Sequence, residues 1–170
     1  MSRFTQNKWK YSTIGLLAIL AAGFSFPQVF ASTEFVAEVK GKVTRPDGCP
    51  DGATACGKAT IEGFGSAQYL FFITGFAPIS DSCGEYTAIV TFTLVDDSTL
   101  TLDEVGTVCG PGNSFFSTTG SSWGNPIDGS GAWTVQDGTG QFAGMTGSGT
   151  DEFEQAGANL KAIYTGTLEG

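Results

Sequence analysis

"GTGQFAGMTGSGT", Gly138 to Thr150, decides between two folds. Gly138, Gly140 and Ala143 satisfy G-x-G-x-x-A, the looser form of a dinucleotide-binding fingerprint. That reading needs the glycine turn to sit between a strand and a helix whose N-terminus holds a pyrophosphate. A strand precedes it as "AWTVQ", Ala132 to Gln136. The helix does not follow. Gly144, Gly147 and Gly149 fall where it would run, each costing about 1 kcal/mol relative to alanine. No βαβ alternation surrounds the stretch, and no cofactor is read from it. The chain instead turns at "DGTG" and continues as an extended, curved segment. Gly138, Gly140, Gly144 and Gly147 are then structural glycines. Gly144 is expected in a sharply bent strand beside an aromatic ring, where a β-carbon would clash.

Outward from that stretch, alternation by two dominates. In "EFVAEVKGKV", Phe35, Ala37, Val39, Gly41 and Val43 share one face. "EYTAIVTFTLVDDSTLTLDEVGTV" reads as a hairpin. Tyr86, Ala88, Val90, Phe92 and Leu94 point one way, and "DDS" turns the chain through side chains that bond their own backbone. "KATIEGFGSAQYLFFITGF" (58–76) is one bent strand or two, with the bend at Gly63 and Gly65. Gly110 to Gly131 reads as a long polar loop, and "NLKAIYTGTLEG" alternates again to the end of the chain. Seven to eight short strands in one small domain must hide their edges. The expected fold is all-β, a single antiparallel eight-stranded closed barrel, because in-strand glycines permit the coiling that closure needs. A two-sheet β-sandwich is the alternative. An outer-membrane barrel is a poor alternative, since its outer wall would be apolar and these faces carry Thr, Lys and Glu.

The first residues read as a secretory signal. Arg3, Lys8 and Lys10 precede the apolar run Ile14–Phe24, and "VFA" (Val29, Phe30, Ala31) fits cleavage after Ala31. The division is therefore 1–31 signal peptide and 32–170 β-barrel domain, with an uncleaved anchor as the alternative. Cleavage leaves five basic residues, Lys40, Lys42, Arg45, Lys58 and Lys161, against seventeen carboxylates, a formal charge of −12. Such a surface repels nucleic acid and anionic lipid, so no nucleic-acid partner and no stable membrane insertion are expected. The expected location is the periplasm or the extracellular medium. Cys49, Cys56, Cys83 and Cys109 then form two disulfides. Of three connectivities, Cys49–Cys56 and Cys83–Cys109 are favoured. The first pair brackets the turn-rich "PDGATA", and the second sits at the two ends of the hairpin.

"DGTGQFAGMTGSGT" followed by "YTGTLEG" resembles the C-terminal part of the allene oxide cyclase-like and dirigent-like β-barrels. Those families carry a G-G-T/S-G-x-F-x-G-A-x-G type stretch and a closing strand ending in G-x-L-x-G. Here Asp137 replaces the first glycine and Met145 the small residue after Gly144. The resemblance spans Gly131 to Gly170 and extends to small exported bacterial proteins with the same ending. It implies an eight-stranded antiparallel barrel. It implies no reaction, and no site residue is carried over.

The chain has no histidine, which removes Ser-His-Asp and Cys-His chemistry and histidine-ligated metal. "DDS", "DGSG" and "DGTG" lack the acidic spacing of calcium loops and read as turns, so no metal site is expected. Glu104 follows Leu100 and Leu102 in phase and points inward; a lumenal carboxylate would have a raised pKa. Its place near the strand end favours a wet rim instead. Glu62, Tyr86 and Tyr164 are weaker candidates, with Tyr164 expected to fill core and keep its hydroxyl at an end. Phe115, Phe116 and Trp123 offer a stacking platform for a ligand. The favoured function is a non-catalytic exported barrel binding an apolar small molecule or glycan, or serving the envelope. The alternative is a cyclase, isomerase or dirigent-type protein acting on an apolar substrate in the lumen.

Overall fold

The structure is a computed structural model and describes residues 32–43, 48–110 and 126–170. Eight strands follow one another in chain order: β1 (Ser32–Val43), β2 (Ala55–Ile61), β3 (Gly65–Pro78), β4 (Cys83–Leu94), β5 (Thr99–Cys109), β6 (Ile127–Gly138), β7 (Thr146–Ala156) and β8 (Asn159–Glu169). Each pairs antiparallel with the next, and β8 returns to β1 from Ser32↔Glu169 to Lys42↔Asn159. The sheet is a closed barrel, so no edge is left to pair with another chain. Among the described residues no helix is long and apolar enough to cross a membrane.

Alternation sets the inner wall. On β4, Tyr86, Ala88, Val90, Phe92 and Leu94 are all buried. The β4–β5 hairpin turns as its sequence requires, with Asp96 Oδ1 accepting the Ser98 amide at 3.1 Å. Two bulges break the register, at Ile73/Gly75 between β3 and β4 and at Thr101/Leu102 between β5 and β6. Bulges add local twist, which helps eight strands close.

One end of the barrel is plugged. Residues 58–76 form two strands, and Phe64 from the turn between them stacks on Phe142 with centroids 4.7 Å apart. Phe142 is fully buried and sits in a 3₁₀ turn, Gly140–Phe142. "QFAGMTGSGT" is therefore not extended throughout; β7 begins only at Thr146. A turn here lets the phenyl ring fold back under the barrel floor. Gly144 lies in this turn and not in a bent strand. It has φ +76°, and a β-carbon there would meet nothing within 4 Å, so it supplies a left-handed backbone and avoids no clash. Close approach holds for two of the other glycines: Gly138 meets the Phe142 backbone and Gly147 that of Thr167. Gly140 needs its positive φ and also crowds Ser98.

The other end carries both disulfides, Cys49–Cys56 and Cys83–Cys109. Cys83 and Cys109 are register partners on the outermost rung of the β4–β5 ladder. The β1–β2, β3–β4, β5–β6 and β7–β8 connections all leave from this end. Strand β6 already starts at Ile127, inside the stretch Gly110 to Gly131 that reads as a loop in the sequence. "IDGSG" joins the ladder: Asp128 to Gly131 pair with Cys109 to Gly106.

Candidate functional site

The main core is aromatic. Phe35 packs edge-on against Trp133 and Phe92, at 5.3 and 6.0 Å between centroids. Above it, toward the disulfide end, lies a polar layer, capped by a small apolar cluster of Ala88, Val108 and Ile127 with Phe71 and Phe153 packed against it.

Glu104 is the centre of that layer. It points inward on β5, in phase with Leu100 and Leu102, and is 1% exposed. The rim reading is overturned: Glu104 pairs with Ala88 and Trp133, well inside both ladders. The Tyr86 hydroxyl donates to Glu104 Oε1 at 2.6 Å, and the Tyr164 hydroxyl donates to Oε2 at 3.1 Å. Tyr69 and Tyr164 share a third bond of 3.1 Å. Since Tyr164 gives its proton to Glu104, Tyr69 donates to Tyr164. The Tyr164 hydroxyl thus does not emerge at a barrel end; it lies mid-lumen, fully enclosed. The network runs Tyr69 to Tyr164 to Glu104 from one side and Tyr86 to Glu104 from the other. Glycines make room for it. A β-carbon on Gly106 would lie 2.5 Å from the Tyr86 hydroxyl.

Asp151 is the second carboxyl of the layer, and sequence reasoning did not single it out. It points inward on β7, opposite Gly131 and Tyr164, and is 2% exposed. Neither of its oxygens has a hydrogen-bond partner. A β-carbon on Gly131 would lie 2.5 Å from Asp151 Oδ1, 3.0 Å from the Tyr86 hydroxyl and 3.1 Å from Glu104 Cγ. Both acidic side chains are therefore packed close against Gly131, which leaves no room there for a β-carbon. The phase of Asp151 with Phe153 was the available signal; the acidic run "TDEFEQ" masked it as a solvated face.

Burial and mutual repulsion set the charges. Desolvation raises the Asp151 pKa to about 8, and the charge of Glu104 adds to the rise. The amides of Asp151 and Gly131 pull the other way without reaching hydrogen-bond geometry. Burial also raises Glu104, while its bonds from Tyr86 and Tyr164 oppose that. Hydrogen bonds to an ionised carboxylate are the strong kind. At neutral pH the negative charge belongs on Glu104, which has two donors, and the proton on Asp151, which has none. Burial, followed by the Glu104 charge, pushes Tyr86 far up. Tyr69 and Tyr164 also rise well above the usual phenol range. All three remain neutral donors.

Glu104→Gln is expected to destabilise by about 1–2 kcal/mol, because one phenol loses an ionic acceptor and meets an amide NH2. Urea midpoints at pH 7 measure it; an unchanged midpoint would mean that the phenols do not depend on the charge.

No protein-family model matches the chain, and no curated protein or solved structure does either.

The remaining candidates do not join the cluster. Glu62 is exposed in the turn after β2. Phe115, Phe116 and Trp123 lie outside the described residues. Among the described residues no three His, Cys, Asp or Glu side chains gather as a metal site. A groove of about 680 Å³ runs over the outer wall, lined in part by Glu38, Lys40, Glu152, Glu154 and Lys161. Those five side chains are exposed and of both signs, so the groove lacks the desolvated, unpartnered group that sets the lumen apart.

Proposed function

We propose that the mature chain is an exported, non-catalytic barrel that holds a small, largely apolar ligand in the lumen at its disulfide end. The unpartnered Asp151 carboxyl carries this reading. Buried polar groups in folded proteins are almost always bonded, and an exception calls for a partner. The apolar cap around Phe71 and Phe153 supplies surface for a ligand body. Binding is favoured over turnover because both Glu104 oxygens are already engaged by the wall. One observation favours the alternative, a cyclase, isomerase or dirigent-type reaction: Asp151 keeps a proton up to about pH 8 and could serve as a general acid. The eight-stranded antiparallel closure supports a kinship of fold with the allene oxide cyclase-like and dirigent-like barrels.

Export is part of the proposal. Two disulfides suit an oxidising compartment. Protein secreted from its native host is expected to start at Ser32 and to resist alkylation until reduced. Intact-mass analysis checks both; retained residues 1–31 or a thiol that labels without reduction contradicts it. Native mass spectrometry of the same sample tests binding. A copurifying small molecule released unchanged supports the carrier reading, and one released as a converted product supports the enzyme. A ligand-free mass, together with failure to take up a neutral apolar dye, removes both.

A further inference from the structure

We infer that the outer wall along the β7–β8 seam is a self-recognition surface, on which a second copy of this chain docks about a two-fold axis parallel to the strands. The inference goes beyond the lumen reading and does not depend on it.

Register lays the outward side chains out in rows that cross the strands. One row reads Lys40 on β1, Lys161 on β8, Glu154 on β7 and Asp128 on β6, and all four are exposed. Its order of charge, two cations and then two carboxylates, is its own complement when reversed. Neighbouring strands lie about 4.8 Å apart across the whole row. An axis in the interface along the β7–β8 seam therefore brings Lys161 over the partner's Glu154 and Lys40 over the partner's Asp128. Symmetry makes each contact twice.

The four charges are available for this. Lys161 and Glu154 are register partners, yet among the described residues none of the four forms an ion pair. The basic residues are also segregated: those described, Lys40, Lys42, Lys58 and Lys161, all stand on β8, β1 and β2. The adjacent row is compatible with the same axis. Glu38 falls over the partner's Ser130 and Ile163 over the partner's Glu152, so no like charges meet. One row further on, Val36 falls over the partner's Ala132 and Thr165 over the partner's Thr150. The groove of about 680 Å³ lies between the first two rows and leaves room for their long side chains between the two walls.

Charge also selects the axis. Moved to the β8–β1 seam, it sets Lys40 against the partner's Lys161; moved to the β6–β7 seam, it sets Asp128 against the partner's Glu154. An axis across the strands, within the groove, sets Glu154 against the partner's Glu152. Like charges placed together suppress all three. The other carboxylates of the −12 mature chain repel only within the Debye length, about 8 Å at physiological salt.

Sedimentation of the disulfide-bonded mature protein across a concentration series, at about 0.15 M salt, tests the surface. A reversible monomer–dimer equilibrium is expected. Lys161→Glu and Glu154→Lys should each weaken it at least tenfold, because each substitution places like charges together twice. An equimolar mixture of these two variants should associate again as a heterodimer, and the double variant should regain the homodimer. Lys40→Glu and Asp128→Lys form a second such pair and replace the first if either of its members fails to fold. A wild-type protein that stays monomeric, or assembles as a trimer, overturns the inference. So do single variants that associate like wild type, and a mixture that stays monomeric although both variants keep the wild-type urea midpoint.

Discussion

Asp151→Asn is expected to leave stability nearly unchanged at pH 4 and to raise it by several kcal/mol at pH 8.5. The folded-state pKa of about 8 lies far above the ordinary 3.8. Between those values the unfolded chain releases a proton that the folded chain retains. Stability therefore falls as pH rises through that window, and the full cost is present above the folded pKa. At about 1.4 kcal/mol per unit, the wild-type penalty at pH 8.5 is on the order of 5 kcal/mol. Asparagine keeps the shape and the unpartnered polar atoms, so the neutral-state cost cancels between the two proteins. Only the ionisation is removed, along with its repulsion of Glu104. Denaturant midpoints of both proteins at pH 4, 6 and 8.5 measure the difference. A gap that stays constant with pH would mean that Asp151 titrates as an ordinary surface carboxylate.

A buried acid of this kind runs against stability, which is why it bears on function. A chain selected for stability alone could place asparagine, threonine or valine opposite Gly131. Glu104 is different: its two phenolic donors turn a buried charge into an organised one. The lumen thus combines a satisfied carboxylate with an unsatisfied carboxyl a short distance away. That asymmetry, more than the number of acids, marks the site.

Much of the barrel was legible because strands state their faces plainly. The phase of Tyr86 to Leu94, the turn at Asp96 and the pairing of Cys83 with Cys109 all follow from alternation and hairpin geometry. Depth was not legible in the same way. Alternation says which wall Glu104 faces, but its height in the lumen depends on the stagger of all eight strands, a collective property of closure. The same gap explains Tyr164, whose hydroxyl reaches mid-lumen because Tyr69 and Glu104 are brought there from strands distant in sequence. Asp151 was hidden differently, inside a run of acids that reads as solvated. The 3₁₀ turn at Gly140–Phe142 escaped because extended and turn conformations share a glycine-rich composition, and burial of one ring under the barrel decided between them.

Gly149→Ala is expected to destabilise by about 3 kcal/mol or more, and Gly144→Ala by only about 1 kcal/mol. The two glycines lie five residues apart in the same stretch, yet they act for unrelated reasons. Gly144 has open space around it and needs only its positive φ. Gly149 sits under the Trp133 ring: its β-carbon would fall 2.6 Å from Cε2 and closer still to the carbonyl oxygen of Thr165. Gly166, its register partner on β8, lies under the same ring, with a β-carbon 2.5 Å from Cζ2. A backbone oxygen cannot swing aside, so the strand itself must shift. Trp133 donates its Nε1–H to the carbonyl of Thr150 at 3.1 Å, so the displaced segment leads straight into Asp151. The Gly149 variant should therefore also move the Asp151 titration, seen as a changed pH profile of its unfolding midpoint, while the Gly144 variant keeps the wild-type profile. Equal losses of stability in the two variants would show that the ring does not rest on the backbone at Gly149, and an unchanged profile in the Gly149 variant would uncouple Trp133 from the carboxyl layer.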